Sequence, residues 1–243
     1  MTTLALIVFA IVCGWVAGGL ANWAADVLPH WNRQPRSQRW HTLLVGPAHH
    51  YWTLPWYMRR RGVCPHCGEV LSRRRPIVEI VTGALFGLMA AHWGAAAVLP
   101  LGWLYGLFFI TVTVIDLEQR RVLNAMLVPA AVFVAAISLL PFHPNPASMI
   151  LGGAMGFGLF LLLAIIGRGA LGMGDVKLAG IIGMMTGYPG VLTALMVGAS
   201  LGAAVALLLL ATRRATRKST IAYAPYLAMG GLVAIWLTLG PQF

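Results

Sequence analysis

Acidic residues are nearly missing from this chain. Its 243 residues include six of them, three Asp and three Glu, against 17 Lys and Arg, which leaves a formal charge of +11. Charged residues of both signs make up 9% of the sequence and hydrophobic residues 59%. Soluble domains carry about 25% charged residues, so a water-soluble globular fold is excluded. The excess of positive charge does not point to nucleic acid either, because so little soluble surface remains to bind it. Cysteine is scarce at three residues, and no internal repeat is visible. The first apolar segment has no basic n-region, exceeds an ordinary signal core and is followed by arginines, so a retained helix is expected there.

What the chain has instead is long apolar runs, with a mean hydropathy of +0.81. About 20 such residues cross a hydrocarbon core of about 30 Å. Eight segments read as transmembrane helices, at about 4–24, 77–97, 98–115, 125–141, 147–166, 175–187, 189–211 and 226–240. The expected fold is an all-α, multi-pass membrane protein forming one polytopic domain over 1–243, with a Trp-, His-, Pro- and Arg-rich cytosolic insert at about 25–76. Nine Arg fall in that insert, and the others, with both Lys, cluster at 120–121, 168–177 and 213–218. With both termini outside, every basic residue lies on the cytoplasmic side, as the positive-inside rule requires. The same patches suit contact with anionic membrane lipid. Glycines four apart, such as Gly14/Gly18, Gly83/Gly87, Gly152/Gly156, Gly183/Gly187 and Gly198/Gly202, predict close helix packing.

Two of the three Asp stand at the ends of apolar runs, Asp116 in "FFITVTVIDLEQRR" and Asp175 in "GMGDVK". A carboxylate there costs roughly 2.5–3.5 kcal/mol and usually faces a partner or water. The plain reading is that each marks the water interface, with Asp116 beside Arg120 or Arg121 and Asp175 beside Lys177. Asp175 also suits a helix start, where exposed N–H groups and the positive dipole end favour an anion. The chemical reading is that the two share a cavity. Only about 13 residues separate Asp175 from Tyr188-Pro189, too few to span unaided, so a turn at Gly172-Met173-Gly174 is expected below the membrane surface. Gly172 and Gly174 would let that backbone approach a second chain. Two such carboxylates cannot both ionise easily; one then deprotonates water while the other protonates the leaving amine.

Four ordered segments resemble the bacterial type IV prepilin peptidases, a family of GxGD intramembrane aspartic proteases. They are "RRRGVCPHCGEVLSRRRPIVEIVTGALF", "ITVTVIDLEQRRVLNAMLVP", "GMGDVKLAGIIGMMTG" and "IAYAPYLAMGG". The resemblance covers most of the chain from Arg60 onward. It implies that Asp116 and Asp175 are the catalytic pair, that Gly172 and Gly174 are the motif backbone, and that the location is the bacterial inner membrane. It implies type IV prepilin or pseudopilin precursors as partners, cut to remove a short basic leader, with no cofactor required for proteolysis. In some members the new N-terminus is then methylated with S-adenosylmethionine, a candidate cofactor here.

Cys64-Pro65-His66-Cys67 is half of a zinc knuckle, and a reducing cytosol argues against a standing disulfide. Relatives often carry a second CxxC upstream, which this sequence lacks. His41, His49 and His50 stand in its place, so Cys64 and Cys67 with His49 and His50 are candidate zinc ligands. A metal-free packed turn and a redox role are the alternatives. Cys13 reads as a small packing residue. Two other functions compete with the peptidase: a transporter or proton relay built on Asp116 and Asp175, and a noncatalytic assembly partner. Both Asp approaching one surface and the lack of duplicated halves disfavour the transporter.

Overall fold

The structure is a computed structural model that describes residues 2–31, 53, 55, 63–64, 68, 70–140, 143–167, 171–213 and 222–239. Described residues form seven helices: α1 (Thr3–Trp31), α2 (Arg74–Trp93), α3 (Leu99–Gln119), α4 (Asn124–Ile137), α5 (Pro146–Ile166), α6 (Met173–Ala211) and α7 (Ala224–Leu239). Among them the one extended pairing is an isolated antiparallel bridge between Val63 and Val70. Five helices (α1, α2, α3, α5 and α6) are long and apolar enough to cross a membrane, and α4 and α7 are shorter apolar helices. The chain is thus an all-α protein with multiple membrane-spanning helices.

Several helix ends depart from the apolar runs, for a common reason. Helix α1 continues to Trp31 and α2 starts at Arg74, so both reach into the stretch 25–76 expected as an insert. Polar residues can extend a helix when their heads are paired, and here Asp26 on α1 bonds Arg74 and Arg75 on α2 at 2.6 and 2.7 Å. Helix α3 likewise runs past Ile115 to Gln119, which puts Asp116 inside its last turn instead of beyond its end. It stops where Arg120 turns left-handed at φ 52°.

The chain divides into two compact units, Met1–Val114 and Ile115–Phe243. In the first, α1 packs on α2 through glycine. A side chain at Gly14 would meet the Thr82 carbonyl oxygen at 2.6 Å, and one at Gly18 the Glu79 backbone at 2.6 Å. Lipid offers no hydrophobic drive between helices, so this close van der Waals contact, together with the polar links between them, holds them. Glu79 is fully buried beside it and accepts three hydrogen bonds, from Trp15 Nε1 (2.8 Å) and from the Thr53 N–H and hydroxyl (2.7 Å each). Trp103 on α3 stacks flat on Phe86, with ring centroids 5.2 Å apart.

In the second unit α6 is the central element, packed by α5, α7 and α4. Gly152 and Gly156 of α5 sit directly against the backbone at Gly183 and Ala179 of α6, and Gly230 of α7 against Ala194. The expected small-residue packing is therefore present in both units. Helix α5 starts at an Asn-Pro signal: the Asn145 side chain accepts from the Ser148 N–H at 2.8 Å and Pro146 opens the helix. Helix α6 is broken at Gly187 (φ 64°, ψ −177°) and Tyr188. That is where the sixth and seventh apolar segments were divided. A side chain on Gly187 would be strained and would also strike Ser148 and Pro144.

Candidate active site

Both aspartates belong to the 115–243 unit. Asp175 lies in the first turn of α6, which starts because Gly172 caps it in an extended conformation (φ −71°, ψ 142°). The Gly172 carbonyl accepts from the Asp175 N–H at 3.0 Å and the Val176 N–H at 3.3 Å. The glycine-flanked turn expected ahead of the helix is thus corrected: Met173 and Gly174 are already helical, and only Gly172 precedes them. Glycine suggested a turn by propensity, but close approach is what requires it here. A side chain on Gly174 would come within 2.9 Å of Val122 Cβ. The segment joining α3 to α4 therefore rests on the first turn of α6 at Gly174, whereas a side chain on Gly172 would meet only Asp175 Oδ2 and the Gly174 backbone.

Asp116 is buried, at 4% exposure, and its Oδ2 accepts the Ala224 N–H at 3.1 Å. Ala224 opens α7, so that amide is one of the donors with no partner inside its own helix. Asp116 in this way ties the end of α3 to the start of α7. The charge of Arg120, one turn further on, also reaches it, in line with the expected neighbour.

Asp175 is not held by Lys177. Two residues along a helix turn the side chain by about 200°, and the Lys177 ammonium donates to Asn124 Oδ1 at 3.0 Å instead. What does reach Asp175 is the charge of Asp116, and the charge of Asp175 reaches Tyr223. Burial first, and then that negative charge, push the Tyr223 phenol above its usual range, so it keeps its proton and remains a donor. Tyr223 is fixed by Phe160, with ring centroids 6.0 Å apart, and by its close contact with Gly202. Two carboxyls, one within the field of the other, and a neutral phenol near Asp175 are chemically suited to acid–base work on one bond.

Reading residues alone missed Val122, Tyr223 and the Ala224 amide. A signal for the last two was present, since Pro225 marks a helix N-terminus and hence unpartnered amides next to it.

Cys64 is buried, and its carbonyl accepts the Gly68 N–H at 3.0 Å, with Gly68 left-handed at φ 72° and the Val63–Val70 bridge outside it. Cys67, His41, His49 and His50 lie outside the described residues. Among the described residues no three His, Cys, Asp or Glu side chains converge as metal ligands.

The family of type IV leader peptidases matches residues 103–207, a stretch that contains both Asp116 and Asp175. The match extends from within α3 to within α6, whereas Tyr223 and Ala224 lie beyond it. Curated relatives reach further along the chain. The prepilin leader peptidase/N-methyltransferase of Bacillus subtilis is 29% identical over 182 residues, 73% of this chain and 72% of that protein. Proteins of the same name from Stutzerimonas stutzeri (26% identical) and Neisseria gonorrhoeae (28%) align over 74% and 73% of this chain. The aligned part spans 64% and 62% of those two relatives, less than two thirds of their length. No solved structure matches the chain.

Proposed function

We propose that this protein is an intramembrane aspartic endopeptidase that removes the leader of type IV pilin-like precursors at the cytoplasmic face of the bacterial inner membrane. The observation that carries the reading is that both aspartates lie in the 115–243 unit, with the charge of Asp116 reaching Asp175, inside the stretch that matches the leader peptidases. One carboxylate takes a proton from water, the resulting hydroxide attacks the scissile carbonyl, and the other carboxyl delivers a proton to the departing amine. The Ala224 amide holds Asp116, and the start of α6 holds Asp175. A neutral Tyr223 hydroxyl adds a donor for the developing oxyanion. The reaction needs water and these groups alone.

The topology in this reading is one polytopic domain of eight spans, both termini outside, with the insert at about 25–76 in the cytosol. The break in α6 at Gly187 supports counting it twice. A proton-relay or transport role for the same pair is not favoured, because the family match and the named relatives are peptidases. The protein purified in detergent and given a pilin-precursor peptide tests the proposal: cleavage ahead of the apolar segment is expected, and an intact peptide would refute it. A separate assay of the cleaved peptide with S-adenosylmethionine tests methyl transfer, the second activity in the relatives' name.

A further inference from the structure

A concave groove of about 400 Å³ opens on the second unit between α4, α5 and α6. Its floor is set by glycine: a side chain on Gly153 would strike Met184 at 2.7 Å, and one on Gly180 would meet Phe157 at 3.1 Å. Its walls are apolar, with Leu127, Val128 and Ala131 on α4 facing Ile181 and Met184 on α6. Polar groups stand at one end only, where the exposed Lys177 ammonium bonds Asn124 Oδ1 at 3.0 Å. From Asn124 to Ala131 and from Lys177 to Met184 the lining advances seven residues, about 10 Å at 1.5 Å per residue. Lys177 is rotated by about 200° from Asp175 around α6, and neither aspartate lines the groove.

We infer that this groove binds one anionic phospholipid, with its phosphate at Lys177 and an acyl chain running toward Ala131 and Met184. The ammonium has three donors and Asn124 takes one, which leaves two for phosphate oxygens. An apolar trough ended by a single cation is complementary to a molecule that is apolar along its length and anionic at its head. A peptide helix fits less well. At about 10 Å diameter, a 10 Å length of helix occupies roughly 800 Å³, twice the groove. The bilayer supplies the lipid at high local concentration, and its anionic members draw basic groups at the headgroup level.

The test uses the full-length protein in neutral detergent, titrated with phosphatidylglycerol or with phosphatidylcholine of the same acyl chains, and bound lipid counted by native mass spectrometry. For the first lipid bound, a preference of roughly fivefold for phosphatidylglycerol is expected, the weight of one basic side chain near an anionic head. Lys177→Met should bring that preference to about one, whereas Lys177→Arg, which keeps the charge, should retain it. Ala131→Phe, which fills the trough, should weaken both lipids. An unchanged preference in Lys177→Met, or unchanged binding in Ala131→Phe, would overturn the inference. So would one-for-one displacement of phosphatidylglycerol by the apolar segment of a pilin precursor, which would make the groove a peptide site.

Discussion

Replacing Gly174 with Ala adds one methyl group beside Asp175, and the structure states where it goes. The new carbon would lie 2.9 Å from Val122 Cβ and 3.4 Å from Val122 Cγ2 and the Val122 carbonyl oxygen. Carbon atoms rest at about 3.5–4.0 Å, so the start of α6 and the 120–123 segment must part by roughly 0.5–1 Å. Two opposed terms act on stability. Overpacking costs about 1–3 kcal/mol, and removing a helical glycine returns up to about 1 kcal/mol. The protein should therefore remain folded, with thermal unfolding in detergent only modestly lowered. Catalysis has no such compensation, because Asp175 is the next residue and moves with the backbone. A misplacement near 1 Å costs on the order of 100-fold, so cleavage of a pilin-precursor peptide should fall about 10- to 100-fold. Two other glycines calibrate the result. A side chain on Gly172 would meet Asp175 Oδ2 at 3.3 Å, and one on Gly158 meets nothing within 4 Å. Gly172→Ala should thus be intermediate and Gly158→Ala close to the parent. Parental cleavage by Gly174→Ala, or an equal loss in Gly158→Ala, would refute the assignment of Gly174 to this contact.

Asp116→Asn and Asp175→Asn should each abolish leader removal while the protein still accumulates in the membrane, and the double variant should be no worse than either single one; processing by a single variant is the contrary result. Glu79→Ala leaves the Trp15 and Thr53 donors without their acceptor, so thermal unfolding should show a loss of about 3 kcal/mol or more, with Glu79→Gln losing less. Single Cys probes in 30–60 and 214–218, on a Cys-free background, should react from the cytoplasmic side and probes at 143–146 from outside; outside labelling of 214–218 would shift the span count by one. Cys64→Ser combined with Cys67→Ser should keep cleavage, and about one zinc per chain lost in that variant would establish the metal site by elemental analysis, whereas none would favour a metal-free turn.

The helical, lipid-embedded class was legible because it rests on run length and on the near-absence of charge, which local sequence displays directly. The glycine spacing was legible for a related reason: a four-residue repeat of small side chains has few uses other than close packing, and Gly14, Gly18, Gly152 and Gly156 are packed in that way. Helix ends were legible at α5 and at the break in α6, but not where charged residues extend α1 and α2. Arg74 and Arg75 look like loop residues until Asp26, 48 residues earlier, is known to pair with them. The motif aspartates stood out by rarity, yet nothing local to Asp116 says that its partner is an amide 108 residues away. Long-range pairing of this kind is a property of the fold, and single-sequence periodicity does not carry it.

Asp26 and Glu79 show what a carboxylate used for structure looks like in this protein. Asp26 is bonded through both oxygens by two guanidinium groups, and Glu79 accepts three donors while fully buried. A carboxylate has about four acceptor positions, and these two fill half or more of theirs with fixed partners. Asp116, buried like Glu79, accepts one backbone amide among the described residues, and the charge of Arg120 reaches it. Open acceptor positions on a buried carboxylate are costly to stability unless something else occupies them. Water and the scissile peptide can do so, and a merely structural Asp116 would instead have been expected to collect donors as Glu79 does. The difference in saturation sets Asp116 apart from the two structural acids, independently of any motif.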